Sequence, residues 1–337
     1  MARRSGKTAL TRVGTVYAYF KFFATLGDLF EARFLRPLWN KYPSRESDDW
    51  EAVGLFLQGY ASERQGARPD FRHVAVDVIE ELRCQGQLLT NKNTTQLAWD
   101  IFCRHLKGQG LNHANNPLCP QGISYERKTG PAITYNKSIM DFLYDISMTG
   151  LQPNIVSLAK TGLELDLVDG VHGKIQEING IGPKIASLFL RDVALFYNLT
   201  PSKDRHLLQP VDTWIQRMFE QLTQQRSTSV QDTEKIQRWM LQESVRCDVR
   251  PEAVNEGTWY FSSQVADSEY RMSKALNDLG YAETLLNEYI EAVHQEVRAW
   301  GNLLCSKGGD LLATTAVSCA PGPAPRVGLW LLRSSPN

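Results

Sequence analysis

Apolar residues recur at intervals of three and four along most of the chain, which is the spacing of one face of an α-helix. The first such stretch is rich in aromatic residues and runs from Val13 to Leu38. A second stretch begins at Phe71 and continues beyond Leu97. No segment shows the persistent alternation that indicates a β-strand. The pattern therefore predicts an all-α fold.

Two later segments differ in how their apolar residues are arranged. Between Ile185 and Tyr197 they cover nearly every face, so this helix is expected at the centre of a lobe. Residues 211–225 have one apolar stripe opposite a polar face, which predicts a half-buried helix. Asp212 stands at the start of that helix.

Three segments lack a helical period. Residues 114–135 contain three prolines and two glycines and form a longer loop than compact domains usually leave without structure, so the loop is either functional or disordered. Residues 305–337 are rich in Gly, Pro and Ser and predict a disordered tail. Residues 1–9 are expected to form a flexible basic arm.

Composition narrows the class of protein. The 37 basic and 37 acidic residues balance, so any affinity for a polyanion must come from local positive surface. Six cysteines without a C-x-x-C pair predict neither a disulfide framework nor a zinc or iron–sulfur site, and no metal or cofactor is expected. A reducing compartment is expected, either the cytoplasm with its nucleoid or the nucleus. No apolar run reaches the ~20 residues that span a bilayer, so no membrane partner is expected.

The most informative stretch is residues 175–186, with the sequence IQEINGIGPKIA. Gly180 occupies the position where a helix end needs a left-handed residue, and Pro183 occupies a first helical position. Amides of Asn179, Gly180, Ile181 and Gly182 would then point outward at the start of the next helix, where phosphate is favoured. Lys184 adds a full positive charge. The stretch predicts a helix-hairpin-helix that binds nucleic-acid backbone.

A second motif follows at residues 210–217, PVDTWIQR. A glycine-rich turn with a lysine, followed by a P-V-D-T motif, resembles the catalytic region of the helix-hairpin-helix DNA glycosylases. Lys184 and Asp212 occupy the positions of that family's lysine and aspartate. The resemblance covers only about residues 175–217. Trp214 stands where relatives often carry a histidine, and the linker 199–209 is longer than is usual in the family.

The resemblance implies two helical lobes with a cleft between Lys184 and Asp212. Residues 88–200 would form a helical barrel lobe that ends in the hairpin, and residues 10–87 with 201–304 would form the second lobe. The implied partner is double-stranded DNA that carries a damaged or modified base, and the protein is expected to be a monomer. Arg217, Arg127 and Lys128 are expected to add DNA contacts.

The chemistry implied by the resemblance divides between the two residues. Asp212 would stabilise the positive charge that develops on the sugar, and the Lys184 amine would attack the sugar carbon to form a Schiff base. Family members with a lysine and no iron–sulfur cluster include enzymes for oxidised purines such as 8-oxoguanine, and a modified base is equally compatible. His172 and His206 are expected to be solvated. The alternative is a non-catalytic DNA-binding protein in which Lys184 contacts phosphate and Asp212 only caps its helix.

Overall fold

The computed structural model describes residues 5–61, 72–106, 116–120, 124–125, 134–135, 137–227 and 231–307 of the 337-residue chain. The described part is almost entirely helical, as the period of the apolar residues predicts. In chain order the helices are α1 (Ser5–Phe30), α2 (Arg36–Asn40), α3 (Asp49–Phe56), α4 (Arg72–Cys84), α5 (Asn93–His105), α6 (Ile139–Met148), α7 (Ile155–Glu164), α8 (Val168–Ile175), α9 (Pro183–Tyr197), α10 (Thr213–Thr223), α11 (Gln231–Arg246), α12 (Pro251–Tyr260), α13 (Glu269–Asn277) and α14 (Leu279–Lys307).

Short irregular elements complete the fold. π-Helical turns occupy Glu31–Leu35, Leu57–Ala61 and Phe261–Ala266, and a 3₁₀ turn occupies Arg205–Leu208. Strands β1 (Ser124–Tyr125) and β2 (Thr134–Tyr135) pair antiparallel. They lie within the loop 114–135, for which the sequence predicts no regular structure. A two-residue ladder does not change the all-α class.

The buried apolar side chains form two clusters. The first core contains residues of α2 to α9 together with Leu35 and Leu208. The second core contains residues of α1 and of α10 to α14. Helix α9 lies at the centre of the first core. Ten of its apolar side chains, Phe189 and Leu190 among them, are buried in that cluster or packed against it.

The division of the chain between the cores differs from the predicted lobes. Residues 10–87 are predicted to belong to the second lobe, yet the buried side chains of α3 and α4 belong to the first core. The amphipathic period of a helix shows which of its faces is buried but does not show which neighbour covers that face. The predicted arm also differs, because α1 begins at Ser5 and residues 5–9 are helical. The predicted tail lies outside the described residues except for 305–307, into which α14 continues.

Helices α1 and α12 of the second core cross in backbone contact. A Cβ atom added to Gly27 would lie 2.0 Å from the carbonyl oxygen of Ala253, and one added to Gly257 would lie 1.8 Å from that of Phe23. Only glycine is compatible with these separations, so the two residues set the close approach of the helices. The crossing fixes the position of α12. Asn255 on that helix donates to the Pro210 carbonyl, two residues before Asp212.

Candidate functional site

The stretch around Gly180 forms two helices joined by a tight turn. Helix α8 ends at Ile175, and α9 begins at Pro183, whose ring suits a first helical position. Gly180 has a φ of 78°, in the left-handed region that the sequence reserves for it. Both structural expectations for the turn are therefore met locally.

The turn is braced from inside the protein. Lys137 pairs with Ile178 in a parallel bridge, its amide donates to the Glu177 carbonyl at 2.9 Å, and its carbonyl accepts from the Asn179 amide at 2.7 Å. The Asn179 side-chain amide donates to the carbonyl of Asn116 at 3.0 Å. The loop between 116 and 137 therefore leaves and returns directly behind the turn.

The amides available to a ligand are fewer than the sequence predicts. Asn179 and Ile181 are buried, and their amides donate to Lys137 and Ile178. These two residues therefore offer neither a side chain nor an amide, and their predicted DNA contacts are corrected to a bracing role. No hydrogen bond within the described part of the chain uses the amides of Gly180, Gly182 or Lys184.

Gly182 adds open space to this surface. It has ordinary φ and ψ angles of −96° and 179°, and a Cβ atom added there would meet nothing within 4 Å. No side chain caps α9, so its first turn keeps the partial positive charge of a helix N-terminus. Lys184 is exposed in that turn, and its ammonium makes no hydrogen bond or ion pair with the described residues.

His172 holds the start of α9 from the α8 side. Its Nε2 lies 3.2 Å from the Pro183 carbonyl oxygen and 3.1 Å from Ser187 Oγ, while Gln176 Nε2 lies 3.0 Å from its Nδ1. Burial lowers the pKa of His172, which favours the neutral ring. His172 and His206 are both buried, so the expectation that they are solvated was wrong.

The linker 199–209 is anchored along its length. The Asp166 carboxylate accepts from the amide and the hydroxyl of Ser202 at 2.6 and 2.7 Å. Arg205 forms a bidentate pair with Glu252 on α12, at 2.8 and 2.7 Å. The linker therefore contains a 3₁₀ turn that is tied to α12.

Asp212 begins α10 and uses one carboxylate oxygen as a cap. Its Oδ1 accepts from the amides of Trp214 and Ile215, both at 2.9 Å. The other oxygen, Oδ2, takes part in no hydrogen bond among the residues that the structure describes. Asp212 therefore caps α10, and the cap uses only one of its two carboxylate oxygens.

The electrostatic environment connects Asp212 to Lys184. Burial raises the pKa of the Asp212 carboxyl, and the two amide hydrogen bonds together with the positive charges of Lys184 and Arg191 act against that rise. Lys184 and Arg191 both lie on α9, seven residues apart, which is about two helical turns and the same face. The same face of α9 therefore carries two cations that act on the Asp212 carboxyl.

The other predicted contacts have different outcomes. Arg217 lies over the Trp214 ring, 5.1 Å from its centroid, and forms an ion pair with Glu269. Burial lowers the pKa of Arg217, and Asp212 is among the acids that act against this. Arg127 and Lys128 lie outside the described residues.

Sequence reasoning missed a buried polar network behind the site. Arg191 and Asp192 lie in the middle of α9, and both are buried. Asn255 and Glu256 on α12 face them, also buried. The available signal was the charged Arg-Asp pair within the otherwise apolar run FLRDVALF, which an amphipathic reading of the helix does not explain.

The described residues hold neither a metal site nor a membrane-spanning helix. Among them, no group of His, Cys, Asp and Glu side chains is arranged to hold a metal ion. None of the described helices combines the length and apolar character that crossing a membrane requires.

Comparison with known proteins gives one distant similarity. The chain is 28% identical over 217 residues to an uncharacterized protein of Methanocaldococcus jannaschii. The match covers 61% of this chain and 49% of that protein, so the chain spans about half the length of the relative that it matches. No protein-family model and no solved structure matches the chain.

Proposed function

We propose that the protein is a DNA glycosylase with associated lyase activity, which excises a damaged or modified base from double-stranded DNA. The proposal rests on two groups that occur together. Asp212 caps its helix with only one carboxylate oxygen, and Lys184 has no ion pair with the described residues. Asp212 keeps Oδ2 free of hydrogen bonds with described residues, and Lys184 lies exposed on the neighbouring helix and acts electrostatically on it. A simple helix cap needs neither the free oxygen nor the lysine.

The turn between α8 and α9 is, in this proposal, a helix-hairpin-helix that binds a phosphate. Three amides, of Gly180, Gly182 and Lys184, have no partner among the described residues. The N-terminus of α9 and the Lys184 ammonium favour an anion at the same place. Because a phosphate contact carries no sequence information, this part of the site would bind any duplex.

The two cores would be the two lobes, with the DNA bound where α9 and α10 begin. Asp212 would stabilise the cationic sugar that develops as the N-glycosidic bond breaks. The Lys184 ammonium would first lose a proton, and its amine would then form a bond to C1′ of the sugar as the base leaves with the electrons of the glycosidic bond. Transfer of a second proton from the nitrogen to the ring oxygen would open the sugar ring and give an imine. The target base would have to leave the stack, at a cost of a few kcal/mol.

The substrate class follows from the resemblance and not from a described base pocket. An oxidised purine such as 8-oxoguanine is favoured, since the chain lacks cysteines spaced for an iron–sulfur cluster. A modified base of foreign DNA fits the same residues. No side chain is assigned to base recognition.

The test is a panel of duplexes that each carry one damaged or modified base. Release of free base and strand cleavage are measured for wild type and for Asp212→Asn. Base release from at least one duplex, lost in the variant, supports the proposal. Salt-sensitive duplex binding without base release from any member of the panel would favour a non-catalytic DNA-binding protein.

A further inference from the structure

The carbonyl groups just before Asp212 are held by two buried side-chain amides. Gln237 Nε2 on α11 donates to the Gln209 carbonyl at 3.0 Å, and Asn255 Nδ2 on α12 donates to the Pro210 carbonyl at 3.0 Å. Both amides are almost fully buried. Two consecutive carbonyls thus have donors from two different helices, and α10 begins three residues after Pro210.

Asn255 also connects this segment to α9. Its Oδ1 accepts from Arg191 Nη1 at 3.1 Å. The primary amide of Asn255 can accept from a guanidinium through its oxygen and donate to a carbonyl through its nitrogen at once. The hydrogen bonds therefore run without a break from Arg191 on α9, through Asn255 on α12, to the residue two before Asp212.

The guanidinium of Arg191 is itself fixed from several sides. Its Nε donates to Asp192 Oδ1 at 2.8 Å, and its Nη2 lies 3.5 Å from Glu256 Oε1. Tyr60 donates to the second Asp192 oxygen at 3.0 Å, and Trp39 Nε1 donates to the Tyr60 hydroxyl at 2.9 Å. Satisfied polar networks of this kind hold one geometry because every alternative leaves a buried group without a partner.

Glu256 differs from the other side chains that surround Arg191. It is fully buried, and neither of its oxygens has a hydrogen-bond partner. Burial raises the pKa of Glu256 well above its ordinary value, which favours the neutral side chain. The hydrogen bonds of the Arg191 guanidinium go instead to the Asp192 carboxylate group and to the Asn255 amide oxygen.

We infer that Arg191, Asn255 and Gln237 are positioning residues that hold residues 209–212 so that the Asp212 carboxyl stays within the electrostatic influence of Lys184. They do so from behind the site, through the two carbonyls, and none of them is a catalytic residue. This inference deepens the proposed function and rests on it for its biological meaning. Whether these three residues hold Asp212 in place can be tested without any enzymatic activity.

The experiment measures the coupling between Lys184 and Asp212 in the full-length protein. Aspartate is labelled at its carboxyl carbon, the Asp212 signal is assigned by its absence in Asp212→Asn, and its titration is followed by NMR with and without Lys184→Ala. In the wild-type background Lys184→Ala is expected to raise the Asp212 pKa, because a positive charge is removed. In an Asn255→Leu background less than half of that rise should remain.

Two further variants separate positioning from a general loss of stability. Gln237→Met removes only the bond to Gln209 and should weaken the coupling less than Asn255→Leu does. Asn154→Leu is the matched control, because Asn154 is equally buried, donates to the Arg45 carbonyl at 2.9 Å and caps α7 in the first core. It should lower thermal stability and leave the coupling unchanged.

The outcomes distinguish the two proposals. Full coupling in folded Asn255→Leu and Gln237→Met proteins would overturn the inference, whether or not the protein is a glycosylase. Loss of coupling in these variants, together with no base release by the wild type, would uphold the positional inference and reject the proposed function. If the wild type is active, Asn255→Leu should reduce the rate of base release at unchanged affinity for the duplex.

Discussion

Helices α9 and α10 satisfy their first turns in opposite ways. Gly182 precedes α9 and has no side chain to cap it, while Asp212 caps α10 with bonds to two amides. The N-terminus of α9 can therefore accept an external anion. The N-terminus of α10 is capped by the Asp212 carboxylate, whose Oδ2 has no hydrogen bond with the described residues. A third start serves as a reference, because Asp48 caps α3 with the same pair of amide bonds, far from Lys184 in sequence.

The difference shows how one structural rule can give two functions. A helix N-terminus needs acceptors for its free amides. Where the chain provides none, as at Gly182, the amides favour a phosphate. Where the chain provides a carboxylate within range of a lysine, as at Asp212, the cap also becomes a group whose charge can be used. The following predictions test this contrast.

The largest expected effect is the loss of covalent trapping when Lys184 is replaced. With borohydride and a duplex that carries the correct base, wild type should become cross-linked to DNA, and Lys184→Ala should abolish the cross-link because no other amine starts α9. Lys184→Gln should retain some base release if water replaces the amine.

Lys174 is the control for this experiment. It lies in the last turn of α8 and pairs with Glu177 at 3.0 Å, so Lys174→Ala should trap normally. An adduct mapped to another lysine would reject the role of Lys184 and leave Asp212 to be judged separately.

The second prediction concerns the charge of Asp212. Asp212→Asn keeps an oxygen that can accept the amides of Trp214 and Ile215, but removes the negative charge opposite the developing sugar cation. Base release should fall by about 10²–10³-fold, within the range seen when one electrostatic contact to a transition state is removed. Duplex binding should persist or tighten.

Asp48→Asn makes the same chemical change at the reference cap and should leave base release intact. Equal losses of activity in the two variants would indicate that loss of a negative charge at a helix cap, and not a catalytic role, explains the effect at Asp212.

The third prediction concerns the open start of α9. Gly182→Val adds a side chain into empty space at an accessible φ, so the fold should persist, but the side chain obstructs a phosphate that approaches the free amides. Affinity for any duplex should fall by about tenfold, or about 1.4 kcal/mol, as measured by gel-shift titration at two salt concentrations.

Gly173→Val is the matched change, because a Cβ at Gly173 in α8 also meets nothing within 4 Å. Wild-type affinity in Gly182→Val, with a native circular-dichroism spectrum, would remove the turn from the binding surface.

The smallest expected effect is on stability and follows from the pKa of Asp212. Because burial raises that pKa in the folded state, the unfolded chain ionises first as pH rises, and ionisation of Asp212 destabilises the fold. The penalty is absent below the unfolded pKa, and it is complete above the raised folded pKa. Asp212→Asn should therefore raise the Tm by about 1–2 °C at neutral pH, and the gain should vanish in acid, as followed by thermal melts across pH.

The same sign predicts the pH dependence of activity. Base release needs the ionised carboxylate and should decline as pH falls through the raised pKa of Asp212. Replacing Lys184 by Gln should move that decline to higher pH, since the lysine opposes the rise. A decline that does not move would contradict the coupling between the two residues.

Much of the fold and part of the site follow from local sequence rules. The helical period predicts the class, and Gly180 and Pro183 predict the turn, because both depend on the conformational preferences of single residues. The start of α10 at Asp212 is also local. These elements could be located without knowing what packs against them.

The remaining features depend on contacts between distant segments. The burial of Asn179 depends on Asn116, and the membership of α3 and α4 in the first core depends on packing partners that no periodicity identifies. Asn255 looked like one polar residue in a helix, since nothing near it in sequence reveals the Pro210 carbonyl to which it donates. Tertiary hydrogen bonds of this kind leave no local pattern.

The crossing of α1 and α12 at Gly27 and Gly257 sets the order in which the molecule can assemble during synthesis. The first core is built from a continuous stretch of chain and can form as soon as the residues up to Leu208 have left the ribosome. Phe20 and Phe23 of α1 are made much earlier but are covered only by the second core, whose crossing helix begins at Pro251. The aromatic face of α1 therefore stays uncovered until α12 has been synthesised, and exposed apolar surface of this kind favours aggregation of a nascent chain. The second core, and with it the placement of Asp212, is completed last.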